Sequence, residues 1–307
     1  MFAGIDVSKD DLEAQLDSQA VGINCPNTAG GFPRLIDWLK LHQVNRVLLE
    51  ATGGYERQVM KALQAEGFEV IRVNPSRARS FAKAMGQHAK TDPIDARLLA
   101  QFAATIKPTK THPTSSEQDD LRALVHQREI FVQQRSDDER RLKTAASNVV
   151  KPMLKGHIDY LSKAIVLLDA KIRQSAESLD RERVSRLCSV KGLGLITAAS
   201  LMAYLPELGS VGRREIAALA GLAPYNNDSG KQKGKRYISG GRFSVRRSLY
   251  MSCWSVIRFQ PEFNARYQAL LDKGKCAKVA LIACMRVLLI RLNAMIRDDS
   301  EWRDNAA

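Results

Sequence analysis

Two short apolar segments in the first 50 residues each carry one acidic residue, and they constrain the fold more than any other feature. Residues 2–7 and 47–50 are rich in branched apolar side chains, which predicts two buried β-strands. Asp6 lies within the first segment and Glu50 ends the second. A carboxylate in a buried strand is costly unless it is paired or bound to a metal. The two acids therefore predict a charged, functional edge of a sheet.

Two further acidic residues lie where a helix is predicted to begin. Pro93 suits the first helical position, so we expect Asp92 to be the N-cap of a helix that contains Asp95. Residues three apart share a helical face, so these two carboxylates can point toward the same place. Acids in a first turn also occur without any site, because they complement the helix dipole. The presence of Asp6 and Glu50 in two predicted strands favours a site that all four acids share.

The four acids offer only oxygen ligands, and neither histidine nor cysteine lies beside them in the sequence. Hard oxygen ligands suit Mg²⁺ or Mn²⁺ rather than zinc. Four carboxylates could hold two such ions about 4 Å apart, an arrangement used for in-line displacement at a phosphodiester. Asp6, Glu50, Asp92 and Asp95 are therefore predicted to be the ligands of a Mg²⁺ site, with Mn²⁺ as the other possible ion.

The balance of charge predicts an anionic partner. The 307 residues include 47 Lys and Arg against 33 Asp and Glu, a formal charge of +14. Nucleic acid is the first candidate for such a chain. No apolar run approaches the roughly 20 residues of a membrane-spanning helix, and no signal peptide is expected. The five cysteines form no CxxC pair and are expected to be buried thiols in a reducing cytoplasm, and the scattered histidines are expected to be structural.

The pattern along the chain predicts three parts. Residues 1–110 alternate apolar strands and amphipathic helices, which predicts an α/β domain. Residues 107–116 lack periodicity and contain two prolines, which is typical of a boundary. Residues 117–183 are charged and helical, and residues 184–307 predict a mainly α-helical C-terminal domain.

The middle part carries a coiled-coil pattern. Apolar residues alternate at spacings of three and four, at Ile158, Leu161, Ile165, Leu168 and Ile172. Lys151 and Pro152 are expected to interrupt the helix before this seam. We interpret the segment as a coiled coil or helical hairpin that supports self-association. An antiparallel pair within one chain is the alternative.

The C-terminal part contains two elements that suit nucleic-acid backbones. Lys191, Gly192 and Gly194 form a Gly-x-Gly turn before an apolar helix over 198–204, as in the helix-hairpin-helix, where helix-start amides bind phosphate. A glycine-rich basic stretch follows, with Lys231, Lys233, Lys235, Arg236, Arg242, Arg246 and Arg247. Such a stretch suits phosphate contacts, and a solvated charged loop is the alternative. Ser229 beside it could attack a phosphodiester if activated, although serine is common in turns.

The order and spacing of several short motifs resemble one family. The motifs occupy residues 4–9, 49–53, 73–75, 90–96, 192–194, 220–224, 228–230 and 238–251. Together they resemble the DEDD transposases of the IS-one-ten group of bacterial insertion sequences, which are related to the Piv DNA invertases. The resemblance spans nearly the whole chain.

This resemblance implies a RuvC-like, RNase H-type N-terminal fold in which Asp6, Glu50, Asp92 and Asp95 match the four acidic metal ligands. It implies a helical C-terminal transposase domain whose conserved serine matches Ser229, with Ser239 as the next candidate. In that family the serine is thought to form a covalent link to DNA, while carboxylate-bound Mg²⁺ ions assist at the same phosphate.

The resemblance also implies partners. The substrate would be double-stranded DNA at the element ends and the target, excised and inserted through circular DNA. Some members are guided by a structured bridge RNA, and members act as oligomers, here a dimer or tetramer, with domains of different subunits meeting at one site. The implied location is the bacterial cytoplasm, at the nucleoid.

Other functions remain open from the residues alone. A RuvC-like junction nuclease would use the same acids with water as nucleophile and would not need Ser229, and a site-specific DNA invertase would also use the carboxylates. A sugar or acetate kinase of the actin-like fold could use residues 4–9 as a phosphate loop, but it would need a second related half, which is not found. The four acids argue against a non-enzymatic binder or repressor.

Overall fold

The computed structural model describes residues 1–18, 21–87, 91–108, 110–111, 114–226, 228–229, 232–234 and 236–302. The chain forms two compact units, Met1–Pro113 and Thr114–Ala307. The first unit combines a sheet with helices and the second is mostly helical, which confirms the predicted α/β and mainly α character of the two ends of the chain.

The first unit is a five-stranded mixed sheet with helices on both faces. Its strands are β1 (Phe2–Val7), β2 (Asp11–Leu16), β3 (Gly22–Pro26), β4 (Arg46–Glu50) and β5 (Glu69–Val73). Its helices are α1 (Phe32–Leu41), α2 (Glu56–Ala65), α3 (Pro75–Ala84) and α4 (Asp92–Ile106). The sheet order is β3-β2-β1-β4-β5, with β1 antiparallel to β2 and parallel to β4. The carboxyl ends of β1 and β4 therefore meet at one edge.

Alternate residues of the central strands serve two different cores. Ile5 and Leu49 pack with α1 and α2 on one face of the sheet. Leu48 packs with Leu99 of α4 on the opposite face. Because successive side chains of a strand point to opposite faces, Asp6 and Glu50 lie on the face that carries α4.

Helix α4 docks on β1 at Gly4, where no side chain would fit. A Cβ atom on Gly4 would lie 2.0 Å from the carbonyl oxygen of Ala96 and 2.4 Å from the amide nitrogen of Ala100. The absence of a side chain lets the helix backbone lie directly on the strand. This contact fixes where the first turn of α4 lies along β1.

Helix α4 begins one residue earlier than the sequence predicts. Thr91 is the N-cap, with φ −147° and ψ 153°, and Asp92 is the first helical residue. The prediction of Asp92 as N-cap was wrong by one residue because the first-turn amides need no intrahelical partner, so proline is tolerated beyond the first position. Asp92 and Asp95 still lie three residues apart within the first turn.

The second unit is a helical bundle with a small β-arm. Its helices are α5 (Ser116–Thr144), α6 (Val150–Cys188), α7 (Leu195–Tyr204), α8 (Arg213–Leu219), α9 (Phe243–Phe259), α10 (Pro261–Asp272) and α11 (Ala277–Arg297). Four two-residue strands lie between α8 and α9: β6 (Pro224–Tyr225), β7 (Asp228–Ser229), β8 (Gln232–Lys233) and β9 (Tyr237–Ile238). Leu201, Leu249 and Leu288 are fully buried in one core with residues of the other helices.

Helices α5 and α6 form an antiparallel pair within one chain. Near the turn Asp138 contacts His157 at 2.6 Å, and further along Arg128 pairs with Asp169. The residues of the predicted seam are shielded from solvent in this pair. Leu161, Ile165 and Ile172 are buried, and Ile158 and Leu168 are half-buried. The intramolecular alternative therefore describes this seam, and self-association stays a prediction.

The break in the helix before the seam lies earlier in the chain than predicted. Helix α5 ends at Thr144, and Lys151 and Pro152 lie in the first turn of α6, where proline costs no hydrogen bond. Asp180 later leaves the helical conformation, with φ −165° and ψ 92°, and its Oδ1 accepts a hydrogen bond from the amide of Arg183 at 2.8 Å. This internal cap divides α6 close to the predicted boundary at 183.

Two expectations from composition need correction. Helix α11 is long and apolar enough to cross a membrane, although no such run was expected. Half of its most apolar window is buried, and Asn293 within it accepts from the Gly209 amide and donates to the Val211 carbonyl, both at 2.8 Å. These contacts are those of a core helix. The cysteines are free, but Cys188 and Cys276 are exposed because they lie at helix ends.

Candidate active site

The parallel pairing of β1 and β4 brings Asp6 and Glu50 together. The register pairs Gly4 with Leu48 and Ile5 with Leu49, so the next step along the strands aligns Asp6 with Glu50. Both residues face α4, and β4 ends at Glu50. Two backbones hydrogen-bonded to each other thus support this half of the predicted acidic set.

The first turn of α4 brings the other half to the same edge. Asp6 lies two residues beyond Gly4 along the strand, and Asp95 immediately precedes Ala96, whose carbonyl meets Gly4. The pKa of Asp6 is raised to about 6, mainly by burial and then by the negative charges of Asp92, Asp95 and Glu50, in that order, while a hydrogen bond with the Val7 backbone opposes the rise. The four predicted carboxylates therefore share one electrostatic environment.

The donor set fits a hard divalent cation. All four groups are carboxylates, and their mutual repulsion is the kind that a bound cation relieves. Among the residues that the structure describes, no three acidic, histidine or cysteine side chains are already gathered into a metal cluster.

We expect Asp6→Asn to stabilise the metal-free chain above pH 6. The folded-state pKa of Asp6 is raised above its ordinary value of 3.8, so the folded state binds more protons between about pH 4 and 6. Wild-type stability therefore falls as pH rises through that window, and asparagine escapes this penalty. After discounting for solvent screening, the gain at pH 7.5 should be about 1–2 kcal/mol and should vanish near pH 4.

Thermal melts in EDTA across this pH range measure the effect. The exposed Asp10→Asn is the matched control: it keeps Asp6, so its melting temperature should change with pH as that of the wild type does. Equal melting temperatures for wild type and Asp6→Asn at pH 7.5 would contradict the prediction. Added Mg²⁺ should raise the melting temperature of the wild type more than that of Asp6→Asn, because the asparagine removes one negatively charged ligand.

The basic stretch folds into a β-hairpin, residues 222–241, called the arm below. Strand β6 pairs with β9 and β7 pairs with β8, both antiparallel. Its base is closed where two glycines cross: a Cβ atom on Gly241 would lie 2.0 Å from the amide nitrogen of Gly221. Both have positive φ, 67° at Gly221 and 68° at Gly241. Only glycine fits both requirements, which explains why the two motifs that flank the arm contain it.

Ser229 lies near the tip of the arm. It pairs with Gln232 in the backbone ladder, so only residues 230 and 231 separate the two strands there. Ser239, the second candidate nucleophile, is exposed and follows β9 at the base. The two serines therefore lie at opposite ends of the arm. Lys231 and Lys235, and the side chains of Ser229 and Lys233, lie outside the described part of the chain.

Two predicted nucleic-acid contacts already have protein partners. Arg242 makes two hydrogen bonds of 2.5 Å to the carboxylate of Glu207 and one of 2.9 Å to the Tyr204 carbonyl. Arg246 donates to the Gly240 carbonyl at 2.8 Å. These guanidinium groups hold the base of the arm, and their contact with nucleic acid stays a prediction.

The other predicted nucleic-acid-binding cations whose side chains the structure describes are Arg236, Arg247 and Lys191. Arg236 is exposed on the arm. Arg247 is half-buried near Glu129, whose pKa is raised by burial while Arg247 opposes the rise. Lys191 is exposed, and its carbonyl accepts a hydrogen bond from Gln260 at 2.8 Å.

The Gly-x-Gly turn joins α6 to α7. Gly192 has φ 96°, and a Cβ atom there would lie 2.6 Å from the amide nitrogen of Val256, so this glycine is required for packing on α9. Gly194 has open space around it and is the N-cap of α7, which begins at Leu195 rather than at residue 198. The Thr197 amide donates to the Gly194 carbonyl at 3.0 Å, so the amides of Leu195 and Ile196, at the start of the helix, are the ones that suit an anion.

Two tyrosines of the arm were not predicted from the sequence. Tyr225 and Tyr237 pair directly across β6 and β9, and they are 52% and 64% exposed. Exposed aromatic rings among cations suit stacking on nucleic-acid bases. The signal available in the sequence was one tyrosine shortly before the basic stretch, Tyr225, and one within it, Tyr237.

Four carboxylates on a sheet edge and a basic arm are features expected of an enzyme that acts on nucleic-acid phosphodiesters. Residues 3–150 match a family model for transposases, DEDD_Tnp_IS110, and residues 168–268 match a transposase model of the IS116/IS110/IS902 family. The chain belongs to the IS110 (IS-one-ten) family of transposases and recombinases, as the resemblance predicted.

Relatives along the whole chain are consistent with this membership. The pilin gene-inverting proteins of Moraxella lacunata and Moraxella bovis are each 31% identical over 97% of this chain and 96% of their own. The 43.6 kDa protein of insertion element IS110 from Streptomyces coelicolor is 27% identical over 50% of this chain and 38% of its own. The protein is thus a DNA recombination enzyme of the insertion-sequence type.

Proposed function

We propose that this chain cuts and rejoins double-stranded DNA at the ends of its insertion sequence and at the target, with Ser229 as nucleophile. In this proposal Asp6, Glu50, Asp92 and Asp95 hold Mg²⁺, with Mn²⁺ as a substitute. The observation that carries it is the placement of the four acids at one sheet edge: strand register aligns Asp6 with Glu50, and the docking of α4 on Gly4 brings the first turn of that helix to β1. The raised pKa of Asp6 is consistent with this placement.

The topology of the first unit supports a RuvC-like, RNase H-type fold. A three-stranded antiparallel meander is followed by two parallel strands, in the order β3-β2-β1-β4-β5. The acids lie at the ends of β1 and β4 and in the first turn of α4, which supports their proposed role as metal ligands.

Each step of the proposed reaction breaks one phosphate ester bond and forms another. The hydroxyl oxygen of Ser229 bonds to phosphorus, the bond from phosphorus to one sugar oxygen breaks, and that oxygen leaves as a hydroxyl after taking a proton. Attack by the hydroxyl of another strand then releases the serine and restores a DNA linkage. A divalent cation at the carboxylates would stabilise the negative charge that develops on the phosphate oxygens. No nucleotide cofactor is needed, because each bond broken is replaced by an equivalent bond.

The arm supplies affinity for the substrate. Its cations suit phosphates and its exposed tyrosines suit bases, while Lys191 and the first-turn amides of α7 suit a further phosphate. A structured guide RNA, a dimer or tetramer, and a location at the bacterial nucleoid are parts of the proposal supported by the family resemblance. The basic charge is compatible with both nucleic acids.

Site-specific DNA inversion is an alternative function that one comparison favours. The pilin gene-inverting proteins match nearly the whole chain, which favours site-specific DNA inversion by the same residues. A junction nuclease with water as nucleophile is the other alternative.

A plasmid assay separates these functions. The purified chain, together with RNA transcribed from its own flanking non-coding DNA, is incubated with a supercoiled plasmid carrying that DNA, in Mg²⁺ or in EDTA. We expect a rejoined excision circle in Mg²⁺ and none in EDTA. Inversion without excision would favour the invertase, and cleavage without joining would favour the nuclease. ATP turnover without any DNA product would contradict the proposal.

A further inference from the structure

A buried carboxylate lies behind the loop that follows Glu50. Glu56, the first residue of α2, is 0% exposed. Its Oε2 accepts hydrogen bonds from the amides of Thr52 at 3.1 Å and Gly54 at 2.8 Å. Its Oε1 lies 3.2 Å from Nε of Arg72, an ion-pair contact rather than an aligned hydrogen bond. A buried charge with such partners holds them in one geometry, because losing them leaves it uncompensated.

The loop that Glu56 holds leads directly back to Glu50. Gly53 and Gly54 have φ angles of 69° and 113°, so the loop depends on the conformations that glycine adopts most easily. Thr52 Oγ1 donates to the carbonyl oxygen of Glu50 at 2.9 Å. A change in the loop is therefore transmitted to the last residue of β4.

We propose that Glu56 is a positioning residue for Glu50 and, through it, sets the affinity of the carboxylate site for a divalent cation. This inference rests on the proposed function, in which Glu50 is a metal ligand. Glu56 acts through the backbone of the loop, with Arg72 on the neighbouring strand β5 balancing its charge. Groups that orient metal ligands in this way change metal affinity about 10- to 100-fold when they are removed.

The test is Glu56→Gln in the full chain, because glutamine keeps the volume but replaces one acceptor oxygen with an NH₂ group. Both loop amides donate to the same oxygen, Oε2, so the NH₂ group of glutamine faces either these amides, which then lose their acceptor, or Arg72. In both orientations Arg72 loses its counter-charge, which loosens the hold on the loop. We expect hydrogen exchange at Thr52 and Gly54 in the metal-free chain to accelerate about tenfold or more. A Mn²⁺ titration followed by electron paramagnetic resonance should show about tenfold or more weaker binding. Recombination should recover at high Mg²⁺.

Glu69→Gln is the matched control. Glu69 pairs with Arg46 at 2.5 Å at the opposite ends of the same two strands, β4 and β5. Removing that carboxylate should leave the exchange at Thr52 and the Mn²⁺ affinity at their wild-type values. If Glu56→Gln does not fold, Arg72→Met removes the counter-charge alone and should produce smaller changes in the same direction.

The two proposals fail in different ways. Wild-type exchange rates and Mn²⁺ affinity in folded Glu56→Gln would overturn the positioning role. If Glu50→Gln binds Mn²⁺ as tightly as wild type, the metal site itself is overturned and the positioning role with it. Exchange at Thr52 would still report whether Glu56 holds the loop in that case.

Discussion

Glu50→Gln should abolish DNA strand cleavage while DNA binding stays at the wild-type level. The substitution keeps the shape of a side chain aligned with Asp6 at the end of two paired strands, but it removes one negative charge from the proposed metal site. Loss of metal assistance at the phosphate should lower the cleavage rate by about 10³-fold or more. DNA affinity should be retained, because the cations that we propose contact phosphates lie in the second unit.

The measurement pairs a single-turnover cleavage assay with a filter-binding titration at fixed salt. Glu66→Gln is the control, because Glu66 pairs with Lys40 at 2.6 Å on the surface at the far end of α2. Its cleavage rate should match wild type. Recombination by Glu50→Gln at the wild-type rate would show that the carboxylates serve another purpose.

Ser229→Ala should eliminate any covalent link between the protein and DNA. Ser229 is in the last described pair of the arm, opposite Gln232, whereas Ser239 follows β9 at its base. A tip can enter a DNA groove or a strand junction, and a base that is closed by crossing glycines cannot. We therefore expect Ser239→Ala to keep the adduct and most of the activity, with DNA binding by both variants close to wild type.

A denaturing gel with end-labelled DNA and Mg²⁺ shows the adduct as a slowly migrating band. If Ser239→Ala lost the band and Ser229→Ala kept it, Ser239 would be the nucleophile. Cleavage by wild type without any band would instead favour attack by water at the carboxylates, with Ser229 in a structural role. Either result would leave the metal-site prediction for Glu50 intact, so the two tests are independent.

The elements of the first unit could be predicted because their signals are local. Apolar runs of strand length, Asn74 and Pro75 after β5, and an acid-proline start to α4 each specify one segment. The position of α4 above β1 could not be predicted this way. It depends on Gly4 meeting Ala96, a contact between residues more than 90 positions apart in the chain.

Arg242 and Arg246, next to the base of the arm, show what composition alone cannot predict. Charge alone placed Arg242 and Arg246 with the open cations of the stretch. In the structure, Glu207 and the carbonyls at the base of the arm engage both guanidinium groups. The partners of Arg242 come from a separate segment, and Arg246 binds a backbone carbonyl that carries no formal charge, so no count of local charges could have distinguished them from Arg236.

The sequence by itself determined which residues can do chemistry: four oxygen donors, a serine among cations, and the glycines of the turns. Only the tertiary structure decided which of them share an environment. The alignment of Asp6 with Glu50 follows from strand register, and the approach of Asp95 follows from helix docking. The role of Glu56 follows from burial and from two amides that no motif marks. Residue types are local properties, whereas desolvation and charge coupling depend on what packs around a group in space.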